Sequence, residues 1–262
     1  MKIIFMLLSL IVMPLAMAQQ TATEKIDTVV FVHGAFADGS SWNKVIKNLQ
    51  KTGLNVISVQ NPLTSLADDT AAAKRAIEAQ PGKVLLVGHS WGGAVISEAG
   101  NNEKVAGLMY VAAFAPNDGQ SANESVKAFP AAPGIQKLQP DANGFIRLSK
   151  EVMQSDFAQD LKKDETTLMT ATQGPIAGKC FDEKVTTAAW KTKPNWYIVT
   201  SKDRMINPDA QMTLAKQMNA SMTTINSSHV PMVSHPKEVT KVITDALKKL
   251  NANVEQPKSA SN

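Results

Sequence analysis

Two kinds of apolar pattern alternate along this chain. Thr28-Val29-Val30-Phe31-Val32, Asn55-Val56-Ile57-Ser58-Val59, Lys83-Val84-Leu85-Leu86-Val87 and Val105-Ala106-Gly107-Leu108-Met109-Tyr110-Val111-Ala112 are short and nearly continuous. Strands covered by helices on both faces read this way. Between them the period changes. Trp42, Val45, Ile46 and Leu49 recur at helical spacing and stop at Gly53, and Leu66 through Ala79 predicts a second helix closed by Pro81-Gly82. A third leaves from Gly92 and ends near Gly100. Farther on, Asn195–Thr200 and Ser221–Ile225 predict two more strands, with a helix from about Pro208 to Met218 between them. Pro236, at a first helical position, opens a last helix to about Leu250. Strand and helix in alternation predict an α/β fold with a largely parallel, doubly wound sheet of six strands.

The alternation stops at Pro116. From there to about Trp190 the apolar strands vanish and Pro130, Pro133, Pro140 and Pro175 appear, with helical stretches near Ser149–Lys163 and Glu165–Ala171. That composition predicts a helical lid, residues 116–190, inserted between two parts of a core, 19–115 and 191–250, with a flexible tail at 251–262. The first residues, Met1 to Ala18, combine one lysine, an apolar run and Ala16-Met17-Ala18, the pattern of a secretory signal peptide with its cleavage site. Pro14 interrupts the run and no basic flank follows, so a stable membrane anchor is not expected. The expectation is an exported protein, periplasmic or secreted, that starts at Gln19. Only about nine residues then precede the first strand, leaving no room for an additional antiparallel pair.

Charge and cysteine content narrow the picture. The formal charge is +4, carried by scattered lysines without interleaved aromatic residues, which gives nucleic-acid binding no support. With one cysteine, Cys180, no intramolecular disulfide can form, and its polar surroundings make it a bystander. The chain contains no H-E-x-x-H, Cys/His cluster or phosphate loop, so no cofactor or metal is expected.

The chemistry gathers where the third strand ends. Gly88-His89-Ser90-Trp91-Gly92 follows four apolar residues and leads into a helix, a strand-turn-helix with Ser90 at its apex. A serine in so sharp a turn has no room for side chains two residues before or after it, and glycine occupies both places. Of four histidines, His229 follows the last strand directly, at the sheet edge where Ser90 emerges, and is the candidate base. His235 adjoins the start of the last helix and is the alternative; His33 and His89 belong to turns. Asp203, in the loop after the strand Asn195–Thr200, is the candidate acid, with Asp118 as its rival. Two oxyanion donors are expected: the N–H of Trp91, at the helix start, and that of Ala35, in His33-Gly34-Ala35 after the first strand. Phe36, Phe114, Trp190 and Met232 are candidates for an apolar substrate pocket, as is Trp91.

His33-Gly34-Ala35, Gly88-His89-Ser90-Trp91-Gly92-Gly93, Asp203 and His229, in this order, resemble the α/β-hydrolase superfamily. The resemblance spans about Lys25 to Leu250 and lies nearest to small bacterial esterases and the plant methylesterase and hydroxynitrile lyase branch. It implies the α/β-hydrolase fold and cleavage of a small-molecule carboxylic ester through an acyl-enzyme on Ser90. Hydroxynitrile lyases of that branch carry threonine where Gly34 stands and lysine where Val230 follows the histidine, so the resemblance points to hydrolysis. Lactone, perester, amide or thioester chemistry on the same residues, or a ligand-binding receptor without catalysis, are the alternatives.

Overall fold

The computed structural model describes residues 25–255. The expected signal peptide, the start at Gln19 and residues 256–262 lie outside these residues. Six strands form one sheet: β1 (Thr28–Val32), β2 (Asn55–Val59), β3 (Val84–His89), β4 (Val105–Val111), β7 (Asn195–Thr200) and β8 (Ser221–Ile225). Their order is β2-β1-β3-β4-β7-β8, and every pairing is parallel. The sheet is thus the six-stranded, doubly wound one expected, and all of its pairs are parallel. β1 and β3 are buried along their whole length, which is why their sequences are continuous apolar runs. From β1 the chain passes to β2 on one side, while β3 pairs on the other. That divergence makes the carboxyl ends of β1 and β3 the topological switch point of the sheet, the place where sheets of this kind bind ligands.

Helices α1 (Asn43–Gln50), α2 (Leu66–Glu78) and α3 (Gly92–Ala99) follow the first three strands, and α7 (Pro208–Gln217) follows β7. Ser65 caps α2 by accepting the Asp68 N–H, and Asn207 does the same for α7 at Asp209. After β8 come α8 (Pro231–Ser234) and α9 (Pro236–Glu255), each opened by proline. α9 runs past the expected end at Leu250. Asn251, placed by the sequence in a flexible tail, bonds both the N–H and the carbonyl of Ile26, at 2.8 and 3.0 Å.

Between β4 and β7 the chain forms α4 (Ala122–Val126), α5 (Lys150–Val152), α6 (Lys163–Thr172) and a short antiparallel ribbon of β5 (Phe145–Ile146) and β6 (Ile176–Ala177). The expected helix Ser149–Lys163 is different in the structure. After α5 the chain widens into one π-helical turn, Met153–Phe157, and breaks at Ala158. The wide turn lets Asp156 and Phe157, adjacent in sequence, both turn inward and be buried. A polar group in that position needs partners, and Asp156 has them in Lys137 (2.6 Å) and Arg204 (2.7 Å).

Candidate active site

Ser90 sits at the tip of the turn between β3 and α3 with φ at 53°, the left-handed region that a side chain other than glycine's enters at a cost. The flanking glycines explain how the turn closes. A β-carbon on Gly88 would lie 2.5 Å from the Gly92 carbonyl oxygen, and one on Gly92 would lie 2.6 Å from that of Val32. β1 therefore passes directly against the turn, and Val32 pairs with Gly88 in register. The next residues of each strand end, Gly34 and Ser90, meet: a β-carbon on Gly34 would stand 2.7 Å from Ser90 Cβ.

The loop after β1 is held by its own histidine. His33 Nε2 accepts the Asn61 N–H (2.9 Å), which leaves Nδ1–H to donate to the Gly34 carbonyl (2.9 Å). Asn61 Nδ2 in turn donates to the His33 carbonyl at 3.0 Å. Burial keeps the His33 pKa below its ordinary value, matching a ring that must both accept and donate. Among the described residues the N–H groups of Ala35 and Trp91 have no acceptor, although both residues are buried. Buried N–H groups are ordinarily paired, so these two are exceptions.

His229 follows β8, and its Nδ1–H donates to Asp203 Oδ2 at 2.7 Å. The same oxygen accepts from Thr200 Oγ1 (2.8 Å) and Gln211 Nε2 (2.8 Å). Asp203 Oδ1 accepts the N–H groups of Met205 (2.7 Å) and Ile206 (2.9 Å). Five donors thus fix the carboxylate, and it fixes the ring. His89, next to Ser90, reaches across and donates from Nε2 to the His229 carbonyl at 2.8 Å. Burial, the largest influence, keeps His89 well below its ordinary pKa and so neutral. Phe157, from the π-helical turn, packs its ring edgewise on His229 at 5.2 Å. Ser90 Oγ and His229 Nε2 have no hydrogen-bond partner among the described residues, and the ring is held from its other nitrogen by Asp203.

The structure therefore brings Ser90 and Gly34-Ala35 together and pairs His229 with Asp203. The rival acid, Asp118, faces outward, bonded to Lys191 Nζ at 2.7 Å and to the Ala188 N–H. The alternative base, His235, bonds Ser234 at 2.8 Å instead. Of the pocket candidates, Phe36 lines a groove of about 230 Å³ between the loop after β1, α1 and α6, with Leu168, Met169 and Val233. Lys44 bridges the groove, bonding Glu165 at 2.8 Å and the Val233 carbonyl at 3.0 Å. Phe114, Trp190 and Met232 are buried, and the Trp190 indole donates to the Pro116 carbonyl at 2.9 Å. The sequence gives no signal for Asp69, Asn61 and Phe157, because each meets its partner far along the chain, at Trp91, His33 and His229, or for Gln211, whose bonds to Thr200 and Asp203 follow no local pattern.

Residues 29–242 match the alpha/beta hydrolase family. A putative methylesterase 12, chloroplastic, from Arabidopsis thaliana is 27% identical over 252 residues, covering 84% of this chain and 72% of that protein. A pyrethroid hydrolase from Sphingobium wenxiniae is 24% identical over 263 residues, covering 84% of this chain and 87% of its own. Among solved structures, polyneuridine aldehyde esterase superposes with a TM-score of 0.72 at 20% identity, over 84% of this chain and 99% of that one.

Proposed function

The chain belongs to the alpha/beta hydrolase family, and from that premise we propose that it is a serine hydrolase of small carboxylic esters. The observation that carries this reading is the 2.7 Å bond between His229 and Asp203 at the sheet edge where Ser90 emerges. Relatives named methylesterase and pyrethroid hydrolase support the substrate class.

In this reading His229 Nε2 takes the Ser90 proton as Oγ attacks the ester carbonyl, with Asp203 stabilising the imidazolium that forms. The N–H groups of Ala35 and Trp91 hold the oxyanion. Its collapse expels the alcohol, which receives the proton from His229, and leaves an acyl group on Ser90. Water, deprotonated by His229, then attacks that acyl group, and the acid leaves as Ser90 regains its proton. The insertion between β4 and β7 acts as a lid, and the groove beside Phe36 and Leu168 admits the apolar part of the ester. Residues 1–18 are removed on export, so the exported protein begins at Gln19; N-terminal sequencing checks this.

The test is turnover of p-nitrophenyl esters of increasing chain length. The wild type hydrolyses the short esters and is labelled by a fluorophosphonate, while Ser90→Ala loses both properties. A protein inert to every ester and to the probe is a receptor or acts on another bond, and the reading falls.

A further inference from the structure

A buried carboxylate lies beneath the turn that carries Ser90, and the mechanism above makes no use of it. Asp69 stands in the first turn of α2 and has no exposed surface. Its Oδ2 accepts the indole N–H of Trp91 at 2.7 Å, and its Oδ1 accepts the Leu63 N–H at 2.7 Å. We propose that Asp69 is a positioning residue, which through the Trp91 side chain aims the Trp91 backbone N–H at the oxyanion. The inference rests on the serine-hydrolase reading and deepens it.

Four observations converge. Trp91 has helical angles, φ −51° and ψ −37°, directly after Ser90 at φ 53°. The direction of its N–H depends on the peptide plane between these two unlike conformations; the Ser90 carbonyl on one edge of that plane accepts the Gly93 and Phe114 N–H groups at 3.0 and 3.2 Å, and the bonded indole anchors the residue on the other edge. Trp91 Nε1–H is the polar handle of that residue, and it ends on a charged acceptor rather than on a carbonyl; such bonds are shorter and stronger than neutral ones. The far end of the carboxylate is also anchored. Leu63 has φ at 60°, and its carbonyl accepts the Ala177 N–H of β6 at 2.9 Å. Phe181 closes the other side of the indole, edge-on at 5.6 Å. Finally, a carboxylate without exposure is costly, and a tryptophan needing only shape complementarity would not require one.

The experiment compares wild type, Asp69→Asn, Trp91→Phe and the double variant on p-nitrophenyl acetate, with urea unfolding to establish folding. An amide cannot accept from two N–H groups in this geometry without turning its own NH₂ toward one of them. Losing an oxyanion donor outright costs about 100- to 1,000-fold in kcat. Misdirecting one is expected to cost about 10- to 100-fold, with KM changed less than about threefold. Trp91→Phe keeps the backbone N–H and removes only the handle, so it gives a similar loss. The double variant is then within about threefold of the weaker single one, because both changes break one link. If Asp69→Asn does not fold, Trp91→Phe carries the test. A folded single variant with kcat within twofold of wild type, or losses that multiply in the double, overturns the positioning role. In either case an active wild type silenced by Ser90→Ala leaves the hydrolase reading standing. An inert wild type brings down that reading and this one with it.

Discussion

Gly34 lies so close to Ser90 that the two residues share one small volume. A methyl group there would meet Ser90 Cβ at 2.7 Å and His89 Nδ1 at 2.9 Å, and neither neighbour is the free end of a flexible side chain. Gly34→Ala is therefore expected to push the loop after β1 away from the serine, lowering kcat by two orders of magnitude or more and stability by about 1–3 kcal/mol. Ester turnover and urea unfolding measure the two effects. This backbone also has no space for the threonine found in hydroxynitrile lyases, a reason internal to the structure for the departure noted in the sequence. Ser90, His229 and Asp203 were legible because turn residues and strand ends announce themselves locally. Asp69 and the cross-link from His89 were not. A buried aspartate in a helix's first turn reads like any capping residue until its indole partner, 22 positions away, folds against it.

At the scale of elements, the insertion is bolted to the core at the two loops that carry Asp203 and His229. Asp156, in the π-helical turn, holds Arg204 beside Asp203 (2.7 Å), and Asp160, just beyond, accepts the N–H of Ser228 beside His229 (2.9 Å). Asp156→Ala is expected to cost about 1–3 kcal/mol in stability by removing bonds to Arg204, Lys137 and Ser155. It should also lower kcat more than it raises KM, since the loop of Asp203 loses a support. The same aspartate has a pH signature. Burial raises its pKa, but the bonds from Lys137, Ser155 and Arg204 outweigh this and hold it below the ordinary value. A depressed folded pKa contributes stability at neutral pH that disappears on acidification. β1, β3, β4 and β7 were readable from sequence because burial on both faces leaves little but apolar residues. The insertion was readable only as an interruption. Its wide turn depends on ion pairs to residues on distant segments, and no local period encodes those.

Across the whole molecule, Asp69 works against Asp156. Burial, above all, raises its pKa from 3.8 to about 6, and Asp68 on α2 and Glu183 in the insertion push the same way, against the bonds from Trp91 and Leu63. Cys180, its neighbour, is pushed up to about 12 and stays an uncharged thiol. Between about pH 3.8 and 6 the folded protein holds a proton that the unfolded chain has lost, so this group makes stability fall as pH rises through that window. Urea unfolding of wild type and Asp69→Asn at pH 4, 5, 6 and 7 should thus show the wild type losing ground to the variant up to about pH 6, and none beyond. The six-stranded, largely parallel sheet was legible from the alternation of strands and helices, whereas the order of its strands was not, because several doubly wound orders satisfy the same handedness and short connections. The strained turn carries a consequence of another kind. Left-handed Ser90 costs about 1–2 kcal/mol, and glycine would relieve this while losing only about 0.4–1 kcal/mol to its freer unfolded chain. Ser90→Gly should then be inactive and modestly more stable. Stability alone would favour glycine at this position, so the serine stands there at a conformational cost that the proposed hydrolysis accounts for.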